Sequence, residues 1–233
     1  MRTFRPKSGP FAEQPFFEPN EIESICIEAL QKVALLPSEP APIRIDRFIE
    51  KRFGVQPGYE ELPKGILGFT RFGTKGVEEI VVSKSFDDEG TVVAERRLRT
   101  TLAHEGGHGL LHAHLFAVDK RPGSLFGDGL APDEPKLLCR DEGGSAGRPA
   151  PSRWWEFQAN QAMGVLLLPK PLVVQALTPM LKTQGSLGLA TLPTGQRGAA
   201  VRLVSDVFNV NPVVARIRID GLYPPQGGAQ MVL

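Results

Sequence analysis

The chain reads as an α+β domain with a small antiparallel sheet, one central helix that carries the chemistry, and a helical C-terminal appendage. Three observations predict this. The periodic segments run as helices, then a short meander of strands, then helices again, with no internal repeat. Its 25 glycines and 21 prolines make about a fifth of 233 residues, which forecasts long loops rather than an all-helical bundle. A hydrophobic fraction of 41% over that length suffices for a core, while no apolar run approaches the roughly 20 residues that span a bilayer.

The elements follow in order. Residues 1–19 are proline-rich and aperiodic, and are expected to form an irregular arm. Asn20 with Glu23 resembles a capping box, and Ile22, Ile25, Cys26, Ala29, Leu30 and Val33 then trace one helical stripe. A second helix should run from about Asp46 to Phe53, stopped by Gly54. Three β-like runs come next, near 55–62, 66–72 and 77–83, the last two joined by a Gly73–Gly76 hairpin. From Val93 to about Leu115 the pattern predicts one long helix. Residues 116–152 read as a long loop or insertion. Two more helices are expected at 153–168, closed by Pro169, and at 171–182. A Gly/Leu/Pro linker at 184–195 leads to a helix pair at 196–208 and 212–219, and the tail 223–233 is expected to be disordered. The domain limits are thus 20–183 for the main body and 184–222 for the helix-turn-helix-like segment.

Charge and cysteine content narrow the class. Lys+Arg 27 against Asp+Glu 26 gives a net charge of +1, which argues against a broadly basic nucleic-acid binder and an acidic disordered chain. No apolar stretch follows the basic start Met1-Arg2-Thr3-Phe4-Arg5, so no signal peptide is expected. Cys26 and Cys139 are too few for a disulfide scaffold. A soluble, cytoplasmic protein is the expectation.

The histidines carry the sharper signal. All four fall within eleven residues, at His104, His108, His112 and His114. His104-Glu105-Gly106-Gly107-His108 fits HExxH, in which two imidazoles one helical turn apart can reach one ion while the glutamate between them addresses a water. Three glycines in this stretch each cost a helix about 1 kcal/mol relative to alanine, a penalty that close packing or metal ligation can offset. A catalytic zinc needs a third protein ligand. His114 has the spacing of an HExxHxxGxxH enzyme, but Leu111 stands where that pattern places its glycine. Glu156 is the better candidate, an acid in the otherwise apolar and amide stretch Trp154–Asn160. Its competing reading is an exposed first-turn acid favoured by the helix dipole. His112 reads best as a packing or hydrogen-bonding residue.

These motifs together resemble one family. His104-Glu105-x-x-His108-x-x-x-His112, preceded by Arg97-x-Arg99-x-Thr101-Leu102-Ala103 and followed by Glu156-x-x-Ala159-Asn160 and Leu166-Leu167-Leu168-Pro169, is similar to the ImmA/IrrE-type metallopeptidases. Residues 46–54, Leu62-Pro63-x-Gly65-Ile66-Leu67-Gly68-Phe69-Thr70 and Ile80-Val81-Val82 resemble that family's N-terminal half. The likeness runs from about residue 20 to 222. It implies a zincin-like zinc peptidase domain that cleaves helix-turn-helix transcriptional repressors. Carried over by position, His104, His108 and Glu156 would ligate Zn2+ and Glu105 would be the general base. Two departures stand out: Gly106 replaces a large apolar residue, and 116–152 lengthens the gap between the metal-bearing helices.

Hydrolysis would also need a hydrogen-bond donor for the oxyanion, for which His112 and His114 are candidates. An edge strand at 66–70 could hold an extended peptide by strand addition. The insertion is expected to restrict substrate entry. Cys139 within it either blocks the open metal position as a thiolate or packs as a buried thiol beside Leu137 and Leu138. Arg197, Arg202, Arg216 and Arg218 could dock a repressor, whereas Val201, Leu203, Val204, Val207, Phe208 and Ile217 would make the same helix pair a packing unit. DNA contact is not expected from so few arginines. Competing functions are a zincin-fold regulatory module that is catalytically silent and a DNA-binding regulator using residues 196–219.

Overall fold

The computed structural model describes residues 2–4, 14–88, 90–118, 136–140, 154–184 and 189–225. Its architecture is α+β. The N-terminal arm is not wholly irregular: β1 (Arg2–Phe4) and β2 (Gln14–Phe16) pair antiparallel. Helix α1 (Pro19–Lys32) starts before the expected Asn20 cap. The side chain of Glu21 accepts from the Glu18 backbone N–H at 2.8 Å, and Glu23 is instead drawn inward to Arg218. Helix α2 (Ile45–Phe53) ends as expected at Gly54, whose φ of 75° is the left-handed conformation that glycine adopts without strain.

A four-stranded sheet follows, formed by β3 (Gly58–Glu60), β4 (Ile66–Gly73), β5 (Gly76–Ser83) and β6 (Lys136–Arg140) in the order β3-β5-β4-β6. It is mixed rather than antiparallel, because β3 runs parallel to β5 while β4 is antiparallel to both its neighbours. Strand β6 lies inside the segment expected to be a loop. It pairs along β4, with Phe69 opposite Leu138, so residues 66–70 are not an edge. The expected peptide-docking edge at 66–70 is therefore corrected, since its backbone groups are already committed on both sides. The backbone of Cys139 sits opposite Gly68, but its side chain lies outside the described residues, as do 119–135, 141–153 and the tail from 226.

A short helix α3 (Ser85–Asp88) precedes the central helix α4 (Val92–Leu111), capped by the Thr91 hydroxyl, which accepts from the Ala94 N–H at 3.1 Å. The expected single helix breaks at His112, and His114 falls on a separate α5 (Ala113–Val118). Helix α6 (Trp154–Leu167) crosses α4, followed by α7 (Lys170–Leu177), with Pro169 at its N-cap. The helix expected to reach 182 ends at Leu177, and an antiparallel pair, β7 (Lys182–Gln184) and β8 (Leu189–Thr191), straddles the start of the expected linker before α8 (Arg197–Val207) and α9 (Pro212–Leu222).

One hydrophobic core joins these helices: Leu30, Phe48, Ile49, Leu166, Val173, Val204, Phe208 and Ile219 all belong to it. Each such side chain, fully buried, contributes about 1.5–3 kcal/mol. The core is therefore continuous across the boundary near residue 184. Of the apolar residues expected to cover it from the last helix pair, Val204 and Phe208 do, and Val201 and Val207 pack partly. Leu203 and Ile217 are exposed, a correction that follows from their place on the outer faces of α8 and α9. Among the described residues no single helix is long and apolar enough to cross a membrane.

Candidate metal centre

Two helices build the site. On α4, His104 and His108 lie one turn apart on the face turned to α6. Gly107 lets the helices meet: a Cβ there would stand 3.0 Å from both the Ala159 carbonyl oxygen and the Ala162 Cβ. Gly107, which weakens α4 locally, is thus what allows α6 to approach closely enough to bring Glu156 to the histidines.

His104 Nε2 and His108 Nε2 are 3.0 Å apart, and the Glu156 carboxylate is 3.2 Å from the first and 3.5 Å from the second. An ion held tetrahedrally by ligands at about 2.0–2.1 Å requires ligand atoms about 3.3–3.4 Å from one another. The histidine pair is somewhat closer than that, and Glu156 meets the two rings through different oxygens, Oε2 toward His104 and Oε1 toward His108. One donor atom from each side chain lies within 4.8 Å of the other two, so the three form a group able to hold a metal ion.

The hydrogen bonds behind the ligands point the same way. His104 Nδ1 faces the Asn160 side-chain oxygen at 3.0 Å, an acceptor, so the ring hydrogen belongs on Nδ1. His108 Nδ1 meets His112 Nδ1 at 3.0 Å, and His112 Nε2 meets the Gln158 side-chain oxygen at 3.1 Å. With hydrogens on both ligand Nδ1 atoms, two Nε2 lone pairs confront each other at 3.0 Å. Either a proton on His104 Nε2, donated to Glu156 Oε2, or a cation held between the rings relieves that repulsion.

Glu105 is fully buried beside this triangle. Thr70 on β4 donates its hydroxyl to Glu105 Oε2 at 2.6 Å, while Glu105 Oε1 has no hydrogen-bond partner among the described residues. Burial pushes the Glu105 carboxyl up to about 8, against the opposing pull of His104 and the Thr70 hydrogen bond. Burial would also raise Glu156, but His108 and His104 hold it well below the usual carboxylate range. Burial lowers His108 and, further, His112, whose neighbour His108 adds to the shift. For His104, burial acts downward, yet its bond to Glu156 and the charges of Glu105 and Glu156 raise it overall.

The four residues singled out in the sequence, His104, Glu105, His108 and Glu156, therefore come together. His114 does not: it is exposed on α5 and stands outside the ligating group. Neither histidine candidate for the oxyanion donor is well placed, since both ring nitrogens of His112 are engaged by His108 and Gln158. Sequence reasoning missed Thr70, Gln158 and Asn160 as working parts. Asn160 had a signal, four residues beyond Glu156 on one helix face; Thr70, 35 residues from Glu105, was singled out only as part of a longer motif, with nothing to pair it to that carboxylate. A comparison with protein-family models finds none that matches the chain, and no curated protein is significantly similar to it.

Proposed function

We propose that the protein is a zinc-dependent endopeptidase of zincin-like type, whose substrate is a helix-turn-helix transcriptional repressor or a similar regulatory protein. The observation that carries the catalytic reading is the cluster of His104, His108 and Glu156, with a buried carboxylate from Glu105 beside it. Two imidazoles and one carboxylate are a donor set of catalytic zinc sites. The substrate class rests on the resemblance of the motifs to repressor-cleaving peptidases.

Bound there, zinc would supply Lewis acidity and bring the pKa of a coordinated water toward 7. Glu105 would act as the proton acceptor through Oε1, which has no hydrogen-bond partner among the described residues, while Thr70 fixes Oε2. The protonated Glu105 then returns the proton to the leaving amine. Asn160 and His112 hold the ligand rings so that both Nε2 atoms face the ion. Among the described residues the sheet edge beside β4 is that of β6, where an extended peptide would add as a further strand.

A second reading, a metal-binding regulatory module without hydrolysis, draws on the complete burial of Glu105. One pair of measurements separates them. Wild-type protein should hold about one zinc per chain by elemental analysis and cleave a co-encoded repressor. Glu105→Gln should keep the zinc and lose cleavage by orders of magnitude. Equal cleavage by both proteins rejects the general base, zinc without cleavage favours the silent module, and full occupancy in Glu156→Ala rejects the ligand set.

A further inference from the structure

The relay behind His108 has a direction, and one end of it sets that direction. We infer that Gln158 is a positioning residue for metal binding: acting through His112, it fixes which ring nitrogen of His108 carries hydrogen. The inference rests on the metal-centre reading above.

His108 can ligate through Nε2 only if its hydrogen sits on Nδ1. That hydrogen needs an acceptor, and the atom 3.0 Å away is His112 Nδ1. His112 accepts there only as the tautomer with hydrogen on Nε2. Nε2 in turn faces the Gln158 side-chain oxygen at 3.1 Å, which cannot donate. Gln158 thus excludes the other His112 tautomer, whose Nδ1 hydrogen would confront that of His108. All three side chains are buried, so no solvent molecule substitutes for a missing member. Trp154 closes the far side of His112, its ring edge-on at 5.5 Å, which leaves the imidazole little room to turn. Gln158 and Glu156 come from the same turns of α6, so one helix supplies both the third ligand and the group that orients the second.

The test is zinc affinity by chelator competition, with histidine tautomers read by nitrogen-15 NMR in the metal-free protein. Gln158→Met keeps the size and removes the acceptor; it should weaken zinc roughly 10–100-fold, the usual cost of losing an outer-shell partner. Its His112 signals should shift from the single Nε2-hydrogen form to a mixture. Gln158→Glu retains an acceptor and should restore affinity to within a few-fold of wild type. If Gln158→Met folds badly, His112→Phe provides the same loss by leaving the His108 hydrogen without an acceptor. Wild-type affinity and an unchanged tautomer in Gln158→Met overturn the inference while leaving the metal site intact. Failure of the wild type to bind zinc instead overturns the metal reading and this one with it.

Discussion

Glu105 makes the sharpest demand of any single residue. Its carboxyl is buried and pushed up to about 8 from an ordinary 4.5, so the folded, metal-free protein holds a proton that the unfolded chain releases between those values. Stability due to Glu105 is therefore complete below about pH 4.5 and is lost as the pH rises through 8. Glu156 behaves oppositely: His108 and His104 hold it low, so its contribution is present above its unfolded pKa and constant across that window. Metal-stripped wild type should thus lose melting temperature between pH 5 and pH 8 relative to Glu105→Gln, which cannot ionise. Parallel melting curves for the two proteins at both pH values would show that Glu105 is not buried as described.

At the scale of the element, α4 is built from contradictory demands. A helix with Gly106, Gly107 and Gly109 is weak in isolation, yet it must bring two histidines close to α6. The three glycines are not equivalent. At Gly107 an added methyl meets the Ala159 carbonyl and Ala162 Cβ at 3.0 Å, and at Gly109 it meets the Phe53 ring at 2.7 Å. At Gly106 the nearest atoms, from Leu166, Phe48 and Ile49, are 3.8–3.9 Å away, ordinary contact distances. Gly106→Ala should then stabilise by roughly 0.5–1 kcal/mol in urea unfolding, the helical cost of glycine recovered. Gly107→Ala should destabilise and weaken zinc binding, because backbone on α6 has to move. The opposite order of stabilities would mean that α4 and α6 do not approach as closely as this. Phe48 and Leu166 bound the space beside Gly106 at ordinary contact distances.

Across the whole molecule, the C-terminal helices are bound into the domain that holds the metal site. Arg218 on α9 grips both carboxylate oxygens of Glu23 on α1, at 2.8 and 2.6 Å, and donates to the Leu168 carbonyl oxygen at 2.9 Å. Arg96 on α4 reaches Ser205, Asp206 and Asn209, and Arg99 donates to the Asn209 carbonyl oxygen. Two arginines once available as a charged docking face, Arg197 and Arg218, are spent on ion pairs with Asp220 and Glu23. Arg202 and Arg216 remain exposed. Arg218→Met leaves Glu23 largely buried with only the Lys170 backbone N–H donating to it, and should cost about 3 kcal/mol, at the lower end for a broken buried pair because that bond and some exposure remain. Unfolding should stay a single transition by fluorescence and circular dichroism. Separate melting of residues 197–222 would contradict the shared core.

The sequence alone determined most helices and the spacing of the histidine pair, because both are local, and it singled out Glu156 as a candidate beside them. HExxH spacing follows from 3.6 residues per turn, and Gly54 and Pro169 punctuate the chain wherever they fall. Glu156 was legible as an acid out of place in an apolar helix, since a buried carboxylate demands a partner. The tertiary structure decided what depends on approach between distant segments. The pairing of β6 with β4 removed the expected edge, the parallel register of β3 made the sheet mixed, and the packing of α9 on α1 consumed Arg218. It also oriented the groups behind the ligands, since Thr70, Gln158 and His112 acquire their roles only when strand and helices meet. Hydrogen bonds require atoms about 3 Å apart in a fixed direction, and no periodicity along the chain encodes which distant partner satisfies them.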